Sequence, residues 1–202
     1  QQATDTSGSI CAPGVEHLLA VRSPITPRRR ARQVIARTAC HHLPCRTEVA
    51  VPIAGSFFVV GVMRDLGCGV VLIGDGDVAG VIAVTDEDTT IDMYMGQGGA
   101  PEGVLAAAAL RCVGGQFNGR LVFRNDDEKA RAAKWGIDDL DRIYTRDELV
   151  KGDCIFAATG VTSGSLLEGV KYLRDGRMTT ESVVMRASSG TVRWIKGEHR
   201  AK

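Results

Sequence analysis

The chain has 202 residues, 44% of them apolar and 24% charged, the proportions of an ordinary globular protein of one or two domains with one sizeable core. A formal net charge of +1 gives no electrostatic drive toward nucleic acid or an anionic surface, and no run of about 18 apolar residues offers a membrane span. Neither a nucleic acid nor a membrane is therefore expected as a partner.

In chain order, residues 1–55 stand apart. They hold seven Arg, no Lys, three acidic residues and no aromatic side chain to anchor a core. No helical or strand period is legible in them. Three readings compete. One is an Arg-rich targeting peptide, although Pro13, Pro24, Pro27 and Pro44 interrupt it. Another is a basic disordered tail, in which Arg28-Arg29-Arg30-Ala31-Arg32 meets an anionic surface. The last is an out-of-frame translation joined to a genuine chain, and the abrupt change of composition near residue 56 favours it. The expected division is thus an atypical Arg-rich segment over 1–55, disordered or non-native, and a folded portion over 56–202. The cluster Cys40-His41-His42-Leu43-Pro44-Cys45 gathers four soft donors within six residues. Structural zinc sites draw ligand pairs from separated turns, so chance is the preferred reading of that cluster. Six cysteines (11, 40, 45, 68, 112 and 154) in a chain of this size read as reduced thiols of a cytoplasmic protein.

From residue 60 onward, strand-like and helix-like segments alternate. Gly69 to Ile73 is a continuous apolar run, expected of a buried strand. Val78 to Val84 suits a short helix and Thr90 to Met95 another strand. Pro101 to Val113 predicts a helix, with Pro101 in its first turn, four alanines from Ala106 to Ala109, and Gly114 as its stop. Leu121 to Phe123 reads as a strand. Asn125 with Glu128, and Thr145 with Glu148, have capping-box spacing and start short helices, the first reaching Trp135 and the second ending near Gly152. Cys154 to Ala158 is a further strand. Ser182 to Ala187 and Thr191 to Ile195 form a hairpin across Ser188-Ser189-Gly190. The order predicts an α/β layered domain with a partly parallel sheet.

Ligands of open α/β sheets bind beyond the carboxyl ends of strands, so the glycine-containing segments after strands matter most. In Gly74-Asp75-Gly76-Asp77 two carboxylates flank a glycine. They suit sugar hydroxyls or a hard cation, and equally an ordinary turn. Gly96-Gln97-Gly98-Gly99-Ala100-Pro101-Glu102-Gly103 is expected to be a loop whose bare amides approach an anion at the start of a helix. It lacks the Gly-Lys-Ser/Thr ending of a P-loop. Glu102 either complements the helix dipole or binds a Mg²⁺ or Mn²⁺ ion that bridges to phosphate. Thr159-Gly160-Val161-Thr162-Ser163-Gly164 serves a ligand or caps a following helix. Arg186 and Arg193 on the hairpin bind phosphate or are solvated. The looser match of Gly74, Gly76 and Ala79 to a nucleotide-binding Gly-x-Gly-x-x-Ala pattern is weak by itself.

Five motifs occur in order: Asp75-Gly76-Asp77-Val78-Ala79-Gly80; Gly98-Gly99-Ala100-Pro101-Glu102-Gly103-Val104; Gly114-Gly115-Gln116 with Gly119-Arg120-Leu121; Phe156-Ala157-Ala158-Thr159-Gly160-Val161-Thr162; and Val184-Met185-Arg186 with Ser189-Gly190-Thr191-Val192-Arg193. Together, over residues 61–199, they resemble the class II fructose-1,6-bisphosphatases, some of which also act on sedoheptulose-1,7-bisphosphate. The resemblance implies a layered α/β sugar-phosphatase sandwich with a mixed sheet, incomplete in this chain. It implies hydrolysis of the 1-phosphate of a sugar bisphosphate with Mn²⁺ or Mg²⁺, in a homo-oligomer. By the same resemblance Glu102 is a metal ligand, and Asp75, Gly76, Asp77 and Gly99 are substrate contacts. The family's Gly-Glu-Gly-Glu and Asp-Pro-x-x-Gly-Thr motifs, which supply most metal carboxylates, do not occur in this sequence. The expectation is very low phosphatase activity for the chain by itself, with no catalytic base assigned. The alternative is an inactive fragment, or a non-enzymatic module that binds sugar phosphate or associates with another chain.

Overall fold

The computed structural model describes residues 14–21, 48–52, 57–74 and 77–200. Ten strands and five helices fall within them. In chain order these are β1 (Gly14–Val21), β2 (Glu48–Pro52), α1 (Phe57–Asp65), β3 (Gly69–Ile73), α2 (Asp77–Ala83), β4 (Met93–Gly99), α3 (Ala100–Val113), β5 (Gln116–Val122), α4 (Asp126–Lys134), β6 (Ile143–Thr145), α5 (Arg146–Leu149), β7 (Ile155–Thr159), β8 (Lys171–Tyr172), β9 (Arg177–Arg186) and β10 (Thr191–Arg200). Six strands make one mixed sheet in the order β3-β2-β4-β1-β5-β6. A second sheet runs β10-β9-β7, with β8 paired to β9. The fold is mixed α/β, as the alternation of segments predicts, and among the described residues neither sheet closes into a barrel.

The layers follow from side-chain alternation. On β2, Val49 and Val51 face one side and Ala50 the other. Val49, Val51 and Met93 pack against Met63 of α1. Ala50, Tyr94 and Phe117 pack on the opposite face against Val81, Ala106, Ala107 and Leu110 of α2 and α3. The far side of those helices offers Ile82, Ala109 and Cys112 to Phe156, Val183 and Met185 of the second sheet. The order of layers is therefore α1, first sheet, α2 with α3, second sheet.

Two of the strands, β1 and β2, come from within residues 1–55, where no strand period was legible. Glu48 at the start of β2 is tied to the approach to β4: its N–H donates to Asp92 Oδ2 at 3.1 Å, and its carbonyl accepts from the Asp92 N–H at 2.9 Å. The basic run at 28–32 and the Cys40–Cys45 cluster lie outside the described residues.

The first sheet differs from expectation at β3. That strand is present at the predicted residues, but among the described residues it is the sheet's edge, with Leu72 48% exposed and Val71 36% exposed. A continuous apolar run signals burial on both faces of an interior strand, and the edge position removes that cover. Helix α3 begins one residue before the predicted start and stops at Gly114, whose φ of 95° lies in the left-handed region that glycine adopts without a Cβ clash. At α4, Asn125 Oδ1 accepts from the Glu128 N–H at 2.9 Å, and the buried Glu128 carboxylate accepts from the Arg124 N–H at 2.8 Å. The hairpin strands β9 and β10 run ten residues each, longer than the sequence suggested, and turn at Gly190.

At α5, which ends at Leu149 rather than near Gly152, Glu148 Oε2 accepts 2.8 Å hydrogen bonds from both the N–H and the hydroxyl of Thr145. The Thr145 N–H, then the Arg142 guanidinium and the Thr145 hydroxyl, hold the Glu148 carboxyl down at about 2 against an ordinary 4.5. A depressed acid stabilises the fold fully above its unfolded pKa, and that contribution fades as pH falls through the folded value. In urea unfolding, the stability gap between the parent chain and Glu148→Gln should be full above about pH 5 and close toward pH 2. A gap that stays constant across that range would show that the cap does not titrate with Glu148.

Candidate functional site

Three parallel strands set the place. β2 runs parallel to β3 (Pro52 beside Ile73) and to β4 (Ala50 beside Tyr94), so all three end at the same edge of the sheet. Helix α1 leaves β2 on one face and α3 leaves β4 on the other. The connections diverge between β2 and β4, which makes this edge a topological switch point, where open α/β sheets bind ligands. By register, Pro52 stands level with Gly96, so β4 continues three residues further, about 10 Å at the usual rise.

That extension corrects the expectation of a glycine-rich loop. Gly96 to Gly99 belong to β4, and Gly98 and Gly99 lie opposite Val15 and Gly14 of β1. The antiparallel partner straightens a stretch whose composition signals a loop. The strand then passes directly into α3, with Gly99 as its N-cap. No side chain caps this helix start, and Pro101 in its first turn has no N–H, so Ala100, Glu102 and Gly103 carry the amides that open the helix.

Glu102 is exposed in that first turn. Its carboxylate folds back over Gly99, occupying the space a Cβ at that position would need. The structure therefore brings Gly99 and Glu102 together. Asp77 is the first residue of α2, the helix that follows β3, and β3 is two places from β4 in the sheet. Asp75 and Gly76 lie outside the described residues. The helix that Asp77 opens sits close on the sheet because Gly80 faces the Tyr94 ring, and a Cβ there would come within 3.0 Å of that ring and 2.6 Å of Ile73 Cδ1.

A carboxylate oxygen at a helix start is a suitable donor for Mn²⁺ or Mg²⁺. Among the described residues, however, no group of three or more His, Cys, Asp or Glu converges. Glu102 alone does not make a metal centre.

The other candidates take structural roles. Arg186 donates from Nε and Nη2 to Asp153 Oδ2 at 3.1 and 2.8 Å, and the Ser188 N–H and hydroxyl also donate to Asp153, each at 2.9 Å. Arg186 and then Ser188 hold the Asp153 carboxyl below its ordinary range. This clasp closes the β9–β10 turn and uses the guanidinium that sequence reasoning offered to phosphate. Arg193 is exposed on the face of β10 turned away from Val183 and Met185. The segment after β7 caps no helix: Ser163 Oγ accepts from the Gly169 N–H at 3.1 Å, and Gly160 lies against the Glu168 carbonyl. A cavity of about 320 Å³ opens on the second sheet between Glu168, Lys171, Glu181, Lys196 and Glu198. It includes none of the residues singled out in the sequence. A crevice of about 50 Å³ lies beside Ala100, Gly103 and Val104 of α3, walled by Phe117, Arg120, Leu121 and Tyr144. Sequence reasoning missed this apolar wall; Gly119-Arg120-Leu121 was legible as a motif but carried no role.

Residues 58–199 match the family model described as bacterial fructose-1,6-bisphosphatase, glpX-encoded. A protein of Crocosphaera subtropica named D-fructose 1,6-bisphosphatase class 2/sedoheptulose 1,7-bisphosphatase is 42% identical over 150 residues, which are 68% of this chain and 43% of that protein. A protein of the same name from Trichodesmium erythraeum is 37% identical over 70% of this chain and 44% of its own length. One from Acaryochloris marina, named as the first of its kind there, is 38% identical over 68% of this chain and 43% of its own length. The chain thus spans less than half the length of these relatives.

Two glycine substitutions should separate packing from chemistry. At Gly99 the obstacle is the mobile end of Glu102, and the backbone (φ −70°, ψ 153°) suits any residue. Gly99→Ala should therefore change the unfolding free energy by less than about 1 kcal/mol while displacing the carboxylate. At Gly160 the obstacle is the Glu168 backbone, and Gly160→Ala should cost about 2 kcal/mol or more. Chemical denaturation of both variants measures the contrast; equal losses would mean that Glu102 is not seated over Gly99.

Proposed function

Since the chain belongs to the bacterial, glpX-encoded fructose-1,6-bisphosphatase family, we propose that it is the sugar-phosphate-binding portion of a metal-dependent bisphosphatase. The reaction is hydrolysis of the 1-phosphate of fructose-1,6-bisphosphate, or of sedoheptulose-1,7-bisphosphate, in the cytoplasm. One observation carries the reading: at the carboxyl edge of parallel strands, a helix start without a side-chain cap carries an acidic side chain folded over a bare glycine. Helix-start amides attract a phosphate, and the absence of a side chain at Gly99 lets a ligand approach the backbone. Asp75, Gly76, Asp77 and Gly99 contact the sugar phosphate, with Asp carboxylates accepting from hydroxyls. Glu102 gives one carboxylate to Mn²⁺ or Mg²⁺, and the cation's remaining ligands come from the part of the relatives that this chain does not span. The layered arrangement, with α2 and α3 between two sheets, supports a sandwich of the sugar-phosphatase type.

With Mn²⁺ and fructose-1,6-bisphosphate the chain by itself should release phosphate at a rate close to background, while calorimetry detects binding of the sugar bisphosphate. Gly99→Val should weaken that binding at least about tenfold, through the side chain it pushes into the ligand's approach. Glu102→Gln should weaken it only when Mn²⁺ is present. Robust turnover would overturn the need for further metal ligands. Binding indifferent to both substitutions would overturn the site.

A second reading, self-association through exposed strand edges, has its own support. Leu72 on edge strand β3 is 48% exposed, and Trp194 and Ile195 on edge strand β10 are 54% and 48% exposed. Long apolar edges invite pairing with another chain. Light scattering at micromolar concentration should show a homo-oligomer that Trp194→Glu weakens; a compact monodisperse monomer would rule this reading out.

A further inference from the structure

Helix α3 touches the second sheet through a pair of thiols that the proposed chemistry does not use. Cys112 is buried near the carboxyl end of α3, and Cys154 is half-buried immediately before β7. Their sulfurs stand 3.9 Å apart, and both cysteines are free. Each thiol also aims at a backbone carbonyl across the same contact: Cys112 Sγ lies 3.8 Å from the Cys154 oxygen, and Cys154 Sγ 3.8 Å from the Ala108 oxygen. The Cys154 carbonyl accepts at 2.9 Å from the Ala187 N–H, so backbone hydrogen bonding fixes the sheet side of the pair.

We propose that Cys112 and Cys154 are an oxidation site, a vicinal thiol pair that a peroxide converts to a disulfide stapling α3 to the second sheet. The sulfurs must close from 3.9 Å to about 2.05 Å, a movement within reach of side-chain rotation because the two chain segments are already in contact. Cys154, the more accessible of the two, attacks the peroxide as its thiolate. The O–O bond breaks, giving a sulfenic acid on Cys154 and one water. Cys112, as its thiolate, then attacks the Cys154 sulfur, and the hydroxide that leaves takes up the thiol proton as a second water. Two thiols and one hydrogen peroxide become one disulfide and two waters. Burial, then the hydrogen bond with Cys154, pushes the Cys112 thiol up to about 11, so the closing step is slow and follows the formation of the sulfenic acid on Cys154.

The pair sits at the far end of α3 from Gly99 and Glu102. Its oxidation therefore acts on the junction between helix and sheet, and its test requires no phosphatase activity. The folded chain of 202 residues is treated with hydrogen peroxide, quenched, digested without reduction and mapped by mass spectrometry. The expected product is the Cys112 peptide joined to the Cys154 peptide with the loss of two hydrogens, dominant over every other cysteine pairing and reversed by dithiothreitol. When the chain is unfolded in urea before oxidation, that preference should vanish. The oxidised folded chain should also melt at least about 5 °C higher than the reduced chain. Cys154→Ser should remove both the linked peptide and the shift in melting temperature, and Cys112→Ala serves as the second variant if Cys154→Ser does not fold. Recovery of the two peptides as free thiols or sulfinic acids, or a shift in melting temperature that persists in Cys154→Ser, would overturn the proposal.

Discussion

A layer of two helices, α2 and α3, joins the two sheets, and everything else in the described structure depends on its being thin. Ala106, Ala107 and Leu110 of α3 lie on the first sheet, while Ala109 and Cys112 lie on the second. Small side chains let both sheets approach the helix axis, so that Leu110, fully buried, contributes about 2 kcal/mol of transfer free energy without holding the layers apart. Larger residues on both faces would force one sheet away. Helix α2 repeats the device, with Val81 toward the first sheet and Ile82 toward the second. Because α2 and α3 follow β3 and β4, which point the same way, both helices start at one edge. The packing that makes the core thus also decides where Asp77 and Glu102 emerge.

Local signals were the most legible part of the sequence. The alanine run, Pro101 and Gly114 define α3, and Asn125 with Glu128 and Thr145 with Glu148 mark the starts of α4 and α5, because each signal acts over three or four residues. What failed was set by partners far away in the chain. Gly96 to Gly99 reads as a loop, yet it is strand because β1, some eighty residues earlier, pairs with it. Gly69 to Ile73 reads as an interior strand, yet it stands at the edge because nothing in its own composition says how many neighbours it has. Residues 48–52 are too short to show a period, and they become the central parallel strand only through β3 and β4. Arg186 carried a phosphate-like signal and is spent on Asp153, thirty-three residues before it.

Among the described residues, β3 has one strand neighbour and so does β10. Each exposes apolar side chains on both of its faces: Val71 and Leu72 on one strand, Val192, Trp194 and Ile195 on the other. Trp194 lies opposite Val183 on the face turned toward α3, a direction that buries Val183 completely and leaves Trp194 half open. A face designed for solvent would carry polar residues at that position.

The motifs that carry the family likeness divide by what their residues physically do. Gly80 lets α2 rest on Tyr94, Gly114 supplies the left-handed stop of α3, and Gly160 makes room for the Glu168 carbonyl. Those glycines serve in turn a close helix–sheet contact, a left-handed backbone turn and an approach between backbones, so a chain can keep them for the sake of its fold alone. Gly99 differs: its backbone conformation is ordinary, and the atom that would meet a side chain there is the end of a flexible Glu102. No packing constraint forbids a larger residue at that position, so its lack of a side chain is not explained by the fold. Packing among the described residues therefore does not account for the missing side chain at Gly99, and the proposed ligand contact is placed on the Gly99–Glu102 pair for that reason, not on the more numerous glycines around it.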